Sequence, residues 1–475
     1  MTVAPVAAIG GSRYSPVENR HQPAKSEYSM HTTPRHVARR DFIKNTTAGV
    51  GLLALGRRPA PLLAFDGSPN EKVVVAVIGV NSRGQVHAQN FGANAHSEVA
   101  FICDVDAKTT AKAVELARKG QSAPVQVVSD FRRVLDDKHV DAVSLATPDH
   151  WHAPMAIMAM KAGKHVYIEK PSGHNPREDE LIVAAAHKYQ KHVQLGTQRR
   201  SGPRFFEAIQ ALKEGTIGTP YLARTWYANT RRGIGKGKPA PIPATLDYEL
   251  WQGPAPRTPY RDNIIHYNWH WFTNWGTGEI CNNGTHEVDV ARWLLGVDYP
   301  TSVYSNGGRY HFDDDWQFPD TQEAVWEFEG GKTIVWHGQS CNGLKMHGRS
   351  RGTSILGTSG SMVIDQDGWV ISDLAGKTVK ESVAAKTGDA LNVTGDDKLT
   401  ELHMQNFLDA IRTGATLNAP IADGAKTGML CHLGTIAQQT GRKLKTDPKS
   451  GRIIGDSDAM KRWSRSYAPR WTPTV

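Results

Sequence analysis

The chain has 475 residues, 39% of them hydrophobic and 22% charged, with a formal net charge of +9. The first sixty residues carry nine Lys or Arg against three acids, +6 of that +9, which leaves only +3 for the remainder. So mild an excess excludes the clustered basic face that nucleic-acid binding requires, and four widely separated cysteines, Cys103, Cys281, Cys341 and Cys431, give neither a disulfide framework nor metal-ligand spacing.

The basic segment holds Arg39-Arg40-Asp41-Phe42-Ile43-Lys44, a twin-arginine pattern, followed by a weakly apolar run at 48–56. That run is too short to span a bilayer and fits a twin-arginine export signal; a disordered basic tail is the alternative. A long polar stretch precedes the arginines, so Met30 stands beside Met1 as a start. The expectation is a signal and linker over 1–65 and an exported, periplasmic protein with no stable membrane span. The rest is long enough to bury a large core in two domains.

Val73-Val74-Val75-Ala76-Val77-Ile78 is a β-branched run of the kind found in strands covered on both faces. It enters the turn Gly79-Val80-Asn81-Ser82-Arg83-Gly84, and a helix follows from Gln85. Strand, glycine turn and helix N-terminus together suit a pyrophosphate. Asn81 replaces the usual second glycine; asparagine tolerates positive φ, but its side chain crowds the phosphate approach. A second strand at 99–104 ends in Asp104, placed to grip the adenosine ribose hydroxyls and, as an acid, favouring NAD over NADP. Alone, Asp104 also reads as a strand-end turn residue, and Arg83 could offset its repulsion of the NADP phosphate, so NADP stays open.

Strands at 125–129, 140–146, 164–168 and 193–196 alternate with helices at 107–120, 131–137 and 151–162. This predicts a doubly wound parallel sheet over 66–198, with Asp104, Thr147-Pro148, Glu169-Lys170-Pro171 and Gln198 at the strand ends that form its ligand crevice. Beyond 198 the period changes to apolar–polar alternation, predicting a second α+β domain over 199–445 with an open, mostly antiparallel sheet. It includes helices at 205–214, 284–295, 399–413 and 425–441, a Gly/Pro-rich loop at 231–262, and a polar tail over 446–475.

Two constellations carry chemistry. Lys170, at the crevice mouth, can act as acid or hydrogen-bond donor toward a substrate hydroxyl if burial lowers its pKa; in isolation it also reads as a solvated lysine. In Gly278-Glu279-Ile280-Cys281-Asn282-Asn283-Gly284-Thr285-His286-Glu287-Val288-Asp289, one continuous helix would put Asn282, His286 and Asp289 on roughly one face. A histidine among amide and carboxylate partners can take a proton from a carbinol, and a structural histidine in a helix turn is the other reading.

Taken together, the glycine turn, Ala146-Thr147-Pro148, Glu169-Lys170-Pro171 and the Gly284-x-His286-x-x-Asp289 helix resemble the glucose–fructose oxidoreductase/inositol dehydrogenase (Gfo/Idh/MocA) family. The resemblance runs from Glu71 to about Gly441. It implies hydride transfer between a sugar or cyclitol carbon and a nicotinamide, with Lys170 orienting the hydroxyl and His286 as acid–base residue. It also implies a second domain often used for dimer or tetramer assembly. Many members carry Asp where this chain has Asn282, and an amide cannot accept a proton. Asp289 is left with a role in catalysis, substrate binding or helix packing.

Tyr267, Trp269, Trp271, Phe272 and Trp275 are interleaved with His266 and His270, and they suit either sugar C–H faces or packing between domains. Gln198-Arg199-Arg200 offers an arginine, Arg199, for a substrate hydroxyl or carboxylate. Asp313-Asp314-Asp315 reads as a solvated loop, not a metal site. The cofactor set is therefore Gly79, Asn81, Ser82, Arg83, Gly84, Asp104, Thr147, Pro148, Glu169 and Lys170; the substrate set is Gln198, Arg199, Trp271, Asn282, His286 and Asp289. Three functions compete: an NAD(P)-dependent sugar oxidoreductase, a redox-neutral NAD-dependent glycosidase of the same family, and a non-catalytic protein on a dehydrogenase fold. The glycosidase branch often lacks the lysine kept here. Export adds a further expectation, that NAD is tightly bound, because no dissociable nicotinamide pool is expected outside the cytoplasm.

Overall fold

Eleven elements alternate through the first half: β1 (Val73–Ile78), α1 (Arg83–Ala93), β2 (Ser97–Cys103), α2 (Ala107–Arg118), β3 (Gln126–Val128), α3 (Arg132–Asp136), β4 (Ala142–Leu145), α4 (His152–Lys161), β5 (His165–Ile168), α5 (Pro176–Tyr189) and β6 (Val193–Leu195). This is a computed structural model, which describes residues 72–383 and 398–475; Arg39-Arg40, Met30 and the run at 48–56 lie outside the described residues. The six strands are parallel, in the order β3-β2-β1-β4-β5-β6. Strand order reverses between β1 and β4, so the loops at their carboxyl ends splay apart and leave a crevice. Local chemistry sets the ends of the elements. The Asn175 side chain accepts the Glu178 N–H at 3.1 Å and Pro176 opens α5, as expected at an N-cap and first turn.

The second half contains α6 (Pro203–Lys213), β7 (Pro220–Thr230), α7 (Tyr248–Gln252), α8 (Gly278–Asn282), α9 (Gly284–Leu295), β8 (Ser302–Gly308), β9 (Thr321–Glu327), β10 (Thr333–Gln339), β11 (Cys341–Asn342), β12 (Arg351–Gly357), β13 (Gly360–Asp365), β14 (Gly368–Asp373), β15 (Thr378–Val383), α10 (Lys398–Thr413), α11 (Ile421–Thr440), β16 (Leu444–Thr446), β17 (Ile453–Ile454) and α12 (Ser457–Met460). Ten strands run in the order β15-β14-β13-β12-β7-β10-β9-β8-β16-β17, and β11 pairs with β7. All described pairings are antiparallel except β7 with β10. Helices α9 and α11 cover one face over a core that includes Trp326 and Trp336.

Two parts of the chain behave differently from the sequence reading. The late helix α10 closes one face of the first sheet, burying Met404, Phe407, Leu408 and Ile411 against β1 and α1. The segment from 446 is no loose polar tail: Trp463 is buried, and Trp471 meets the edge of Trp151 at 4.9 Å. Among the described residues no helix is long and apolar enough to cross a membrane.

Candidate active site

A cavity of about 700 Å³ opens at the carboxyl ends of β1, β4 and β5 and is walled on its other side by the second half of the chain. Its dinucleotide end is built on Gly79, which has φ +83°. A Cβ there would lie 2.8 Å from the Ala146 carbonyl and the Thr147 nitrogen, so only glycine lets β1 turn under the β4 loop. Gly84 does not line the cavity; a Cβ on it would sit 1.9 Å from the Gly79 oxygen, so its role is the close seating of α1 on the turn. Asn81 is exposed and needs no positive φ, the left-handed step being taken by Gly79 alone. Ser82 makes no capping bond and the first turn of α1 has no acid, which leaves that helix end open to an anion.

Asp104 accepts the Val80 N–H at 2.6 Å and the Asp106 N–H at 2.9 Å and lines the cavity. Each carboxylate oxygen keeps a lone pair for a ribose hydroxyl. Arg83 turns the other way. Its Nε donates to Glu169 at 2.9 Å and its Nη2 to Thr400 at 2.6 Å, so in this structure it is not held beside Asp104. Asp104→Ala is therefore expected to weaken NAD by about tenfold, a hydrogen bond to a charged group being lost, and to raise relative NADP use; titration of both dinucleotides checks it.

At the Lys170 end of the cavity, Glu169 accepts from Arg83, from His87 at 3.0 Å and from Gln198 at 2.9 Å. Burial pushes this carboxyl up, but Arg83 and His87 outweigh it and hold it well below the usual range. Lys170, next in sequence, donates from Nζ to Asn282 Oδ1 at 2.9 Å. Burial lowers its pKa, opposed by Asp149, Glu169 and Glu279. His152 ties the two loops of the crevice together, with Nδ1 2.6 Å from the Pro171 oxygen and Nε2 2.8 Å from the Thr147 oxygen. Asp149 accepts the Thr277 hydroxyl at 2.5 Å; burial raises its pKa against His152, Thr277 and Lys170.

The second constellation is not one helix. Helix α8 stops at Asn282, Asn283 forms the joint, and α9 starts at Gly284. Asn282, Asn283 and His286 still line the cavity. Burial, then Lys170 and Arg351, push the His286 imidazole well below its ordinary value, so it is neutral at physiological pH. Asp289 is a correction: its buried carboxylate accepts from Arg200 at 2.7 and 2.8 Å and from Thr427 at 2.9 Å, and it does not line the cavity. Trp271 is another. It stacks on Trp316 at 3.8 Å in a small core, while Tyr267, Trp269 and His270 face the cavity. Arg199 lines the cavity, but its guanidinium is spent on Glu287 at 2.5 and 2.9 Å, and Gln198 is spent on Glu169. Asp314 and Asp315 do not form a solvated loop either; they accept the N–H groups of Ile234 and Gly237 and fasten the 231–262 loop.

Sequence reasoning missed Asp149, His152, Tyr227, Arg231 and Arg351. The run Asp149-His150-Trp151-His152 directly after Thr147-Pro148 was a usable signal, since it opens a helix at a strand end that faces the crevice. Arg231, whose Nε donates to Glu279 at 2.7 Å, and Arg351, at the start of β12, carried no local signal.

The cradle under Gly79, the open end of α1 and Asp104 fit a dinucleotide, and beyond them the half-buried Lys170 ammonium and a neutral imidazole line one space. That combination suits a nicotinamide-dependent dehydrogenase. The chain belongs to the Gfo/Idh/MocA oxidoreductase family: residues 73–197 match its NAD-binding Rossmann fold and residues 223–347 its C-terminal alpha/beta domain. It is 26% identical over 298 residues to the uncharacterized oxidoreductase YrbE of Bacillus subtilis, covering 62% of this chain and 74% of that one. It is 27% identical over 200 residues to a glycosyl hydrolase family 109 protein of Shewanella pealeana, covering 38% of this chain and 43% of that one. In fold it is similar to a levoglucosan dehydrogenase solved with NADH and levoglucosan, at a TM-score of 0.60 and 21% identity, over 79% of this chain and 99% of the other.

Proposed function

We propose that this NAD-binding oxidoreductase oxidises a hydroxyl of a sugar, glycoside or cyclitol. The observation that carries the reading is the joint placement of Lys170, held by Asn282, and neutral His286 on the cavity wall. Bound NAD⁺ supplies a two-electron acceptor at the nicotinamide C4. Lys170 Nζ donates to the substrate oxygen and orients it, and a ring nitrogen of His286 takes the hydroxyl proton as the carbon–oxygen bond becomes a carbonyl. Asn282, an amide, serves as the acceptor that aims Lys170. His152 sets the spacing of the two loops by holding the Thr147 and Pro171 carbonyls.

The likeness to a glycosyl hydrolase family 109 protein favours one further reading, a redox-neutral cycle in which transient oxidation permits elimination of an aglycone. Retention of Lys170 weighs for net oxidoreduction. Glycosides and free sugars assayed for nicotinamide absorbance and released sugar separately distinguish them: absorbance change alone supports oxidation, and sugar release without it supports the cycle.

Arg39-Arg40 motivates the rest of the proposal, export in the folded state with NAD loaded beforehand and retained through many turnovers. Protein purified from the periplasm, dialysed and denatured should release near-stoichiometric nicotinamide dinucleotide. Empty protein, or protein confined to the cytoplasm, overturns this part alone. NADP in place of NAD and assembly as a homodimer or homotetramer are settled by the same preparation, through the released dinucleotide and light scattering.

A further inference from the structure

Tyr267 and His270 face the cavity from one turn of the long loop that follows β7. Tyr267 is 46% exposed, and its backbone has φ +77° and ψ −47°, a positive-φ conformation that an aromatic residue rarely adopts. Two bonds hold it there. The His270 N–H donates to the Tyr267 carbonyl at 3.2 Å, and His270 Nδ1 donates to the same oxygen at 2.5 Å. A strained residue persists only where its surroundings over-determine it, and such residues cluster where ligands are held.

The same contacts fix which way each polar tip works. A carbonyl only accepts, so Nδ1 carries the imidazole proton and Nε2 is left as an acceptor. Burial above all, with Lys170 and Arg231, lowers the His270 pKa to about 3, so the ring stays neutral and that lone pair stays open. Trp269 stacks on the ring at 3.6 Å and fixes its plane. The Tyr267 hydroxyl accepts from Arg231 Nη1 at 2.7 Å, and a guanidinium cannot accept in return, so the phenol proton points elsewhere. Arg231 is itself held on Glu279, through Nε at 2.7 Å and Nη2 at 3.3 Å. No described residue donates to His270 Nε2 or accepts from the Tyr267 hydroxyl. The two ring centroids are 4.7 Å apart, which puts one fixed donor and one fixed acceptor side by side on the cavity wall.

We propose that Tyr267 and His270 are a specificity-determining pair that recognises one non-reacting hydroxyl of the substrate, the phenol donating to its oxygen while Nε2 accepts its proton. The inference rests on the reading of this cavity as the site of hydroxyl oxidation, with Lys170 and His286 at the reacting hydroxyl. A hydroxyl donates and accepts through a single oxygen, so it answers both members of the pair. An ether, a carboxylate or a deoxy carbon leaves at least one of them unmatched.

The test uses the holoenzyme with glucose, methyl glucoside and their monodeoxy derivatives, following nicotinamide absorbance for turnover and calorimetry for binding. The derivative without the reacting hydroxyl is not oxidised; one other should lose about tenfold in kcat/KM, through KM, the scale of a hydrogen bond whose partners are left unpaired. Tyr267→Phe keeps the ring and the turn, and the amide N–H of His270→Asn takes the place of Nδ1–H. In each, the parent sugar should fall to the level of that derivative, closing the gap between them. If one variant does not fold the other carries the comparison, and a wild type indifferent to every non-reacting hydroxyl overturns the pair without either. Variants that lower all the sugars alike, or none, overturn the pair and leave the oxidation reading standing. The same pattern in binding without turnover supports the pair and counts against oxidation. Neither binding nor turnover of any of these sugars overturns the pair and counts against oxidation as well.

Discussion

Replacing Lys170 by methionine is expected to lower kcat by about a hundredfold or more, the lower range for a positioned acid–base group, with the protein still folded and still holding NAD. Methionine keeps the apolar stem and removes only Nζ, which donates to Asn282. Burial depresses the lysine pKa, so the alkaline limb of wild-type kcat/KM should fall below the ordinary lysine value of about 10.4. The acid limb, set by His286, should lie well under about 6.5. In Lys170→Met the alkaline limb should vanish while the acid limb persists and moves up, since Lys170 no longer depresses His286. A variant with wild-type turnover, or with its alkaline limb intact, removes Lys170 from the chemistry.

The second large effect is on stability. Glu287→Gln should destabilise the fold by about 3–5 kcal/mol, the range for breaking a buried ion pair from one side. Glu287 is fully buried, and its two oxygens accept from Arg199 and Arg351, so the amide takes their shared hydrogen-bonded carboxylate from two interior guanidinium groups. Burial raises the Glu287 pKa, but Arg199 and Arg351 outweigh it and lower it overall. A depressed carboxylate contributes stability that is present above the unfolded value of about 4.3 and is lost as pH falls through the folded one. Urea denaturation of both proteins should show a gap that is full at neutral pH and closes on acidification. A constant gap would mean that packing, not charge, accounts for it.

The first domain was legible because parallel strands buried on both faces are written as β-branched runs, and the loops that follow them are where ligands bind. Val73–Ile78 and the acid at Asp104 could be placed from local pattern alone. Helix α9 was legible to its ends, because Gly284 follows the joint and Gly296 takes the left-handed C-cap at φ 61°. Illegible were partners chosen across long sequence distances. Asp289 has the right spacing from His286, yet Arg200 and Thr427 claim it. Trp271 belongs to an aromatic run that suits sugar faces, and Trp316 takes it into the core instead. Arg351 stands in a strand with no motif, and only the fold brings it to Glu287 and the cavity wall.

The position of α10 has a consequence for biosynthesis. Phe407 and its neighbours complete, beside α1 and α2, the hydrophobic layer on one face of β1, so that layer stays unfinished until they have been made. Translation at about 5–20 residues per second puts a delay of roughly ten to forty seconds between completion of β6 and arrival of that helix. The cofactor's cradle is thus finished only once the late helix has docked, which brings Leu399 to the cavity and Thr400 to Arg83.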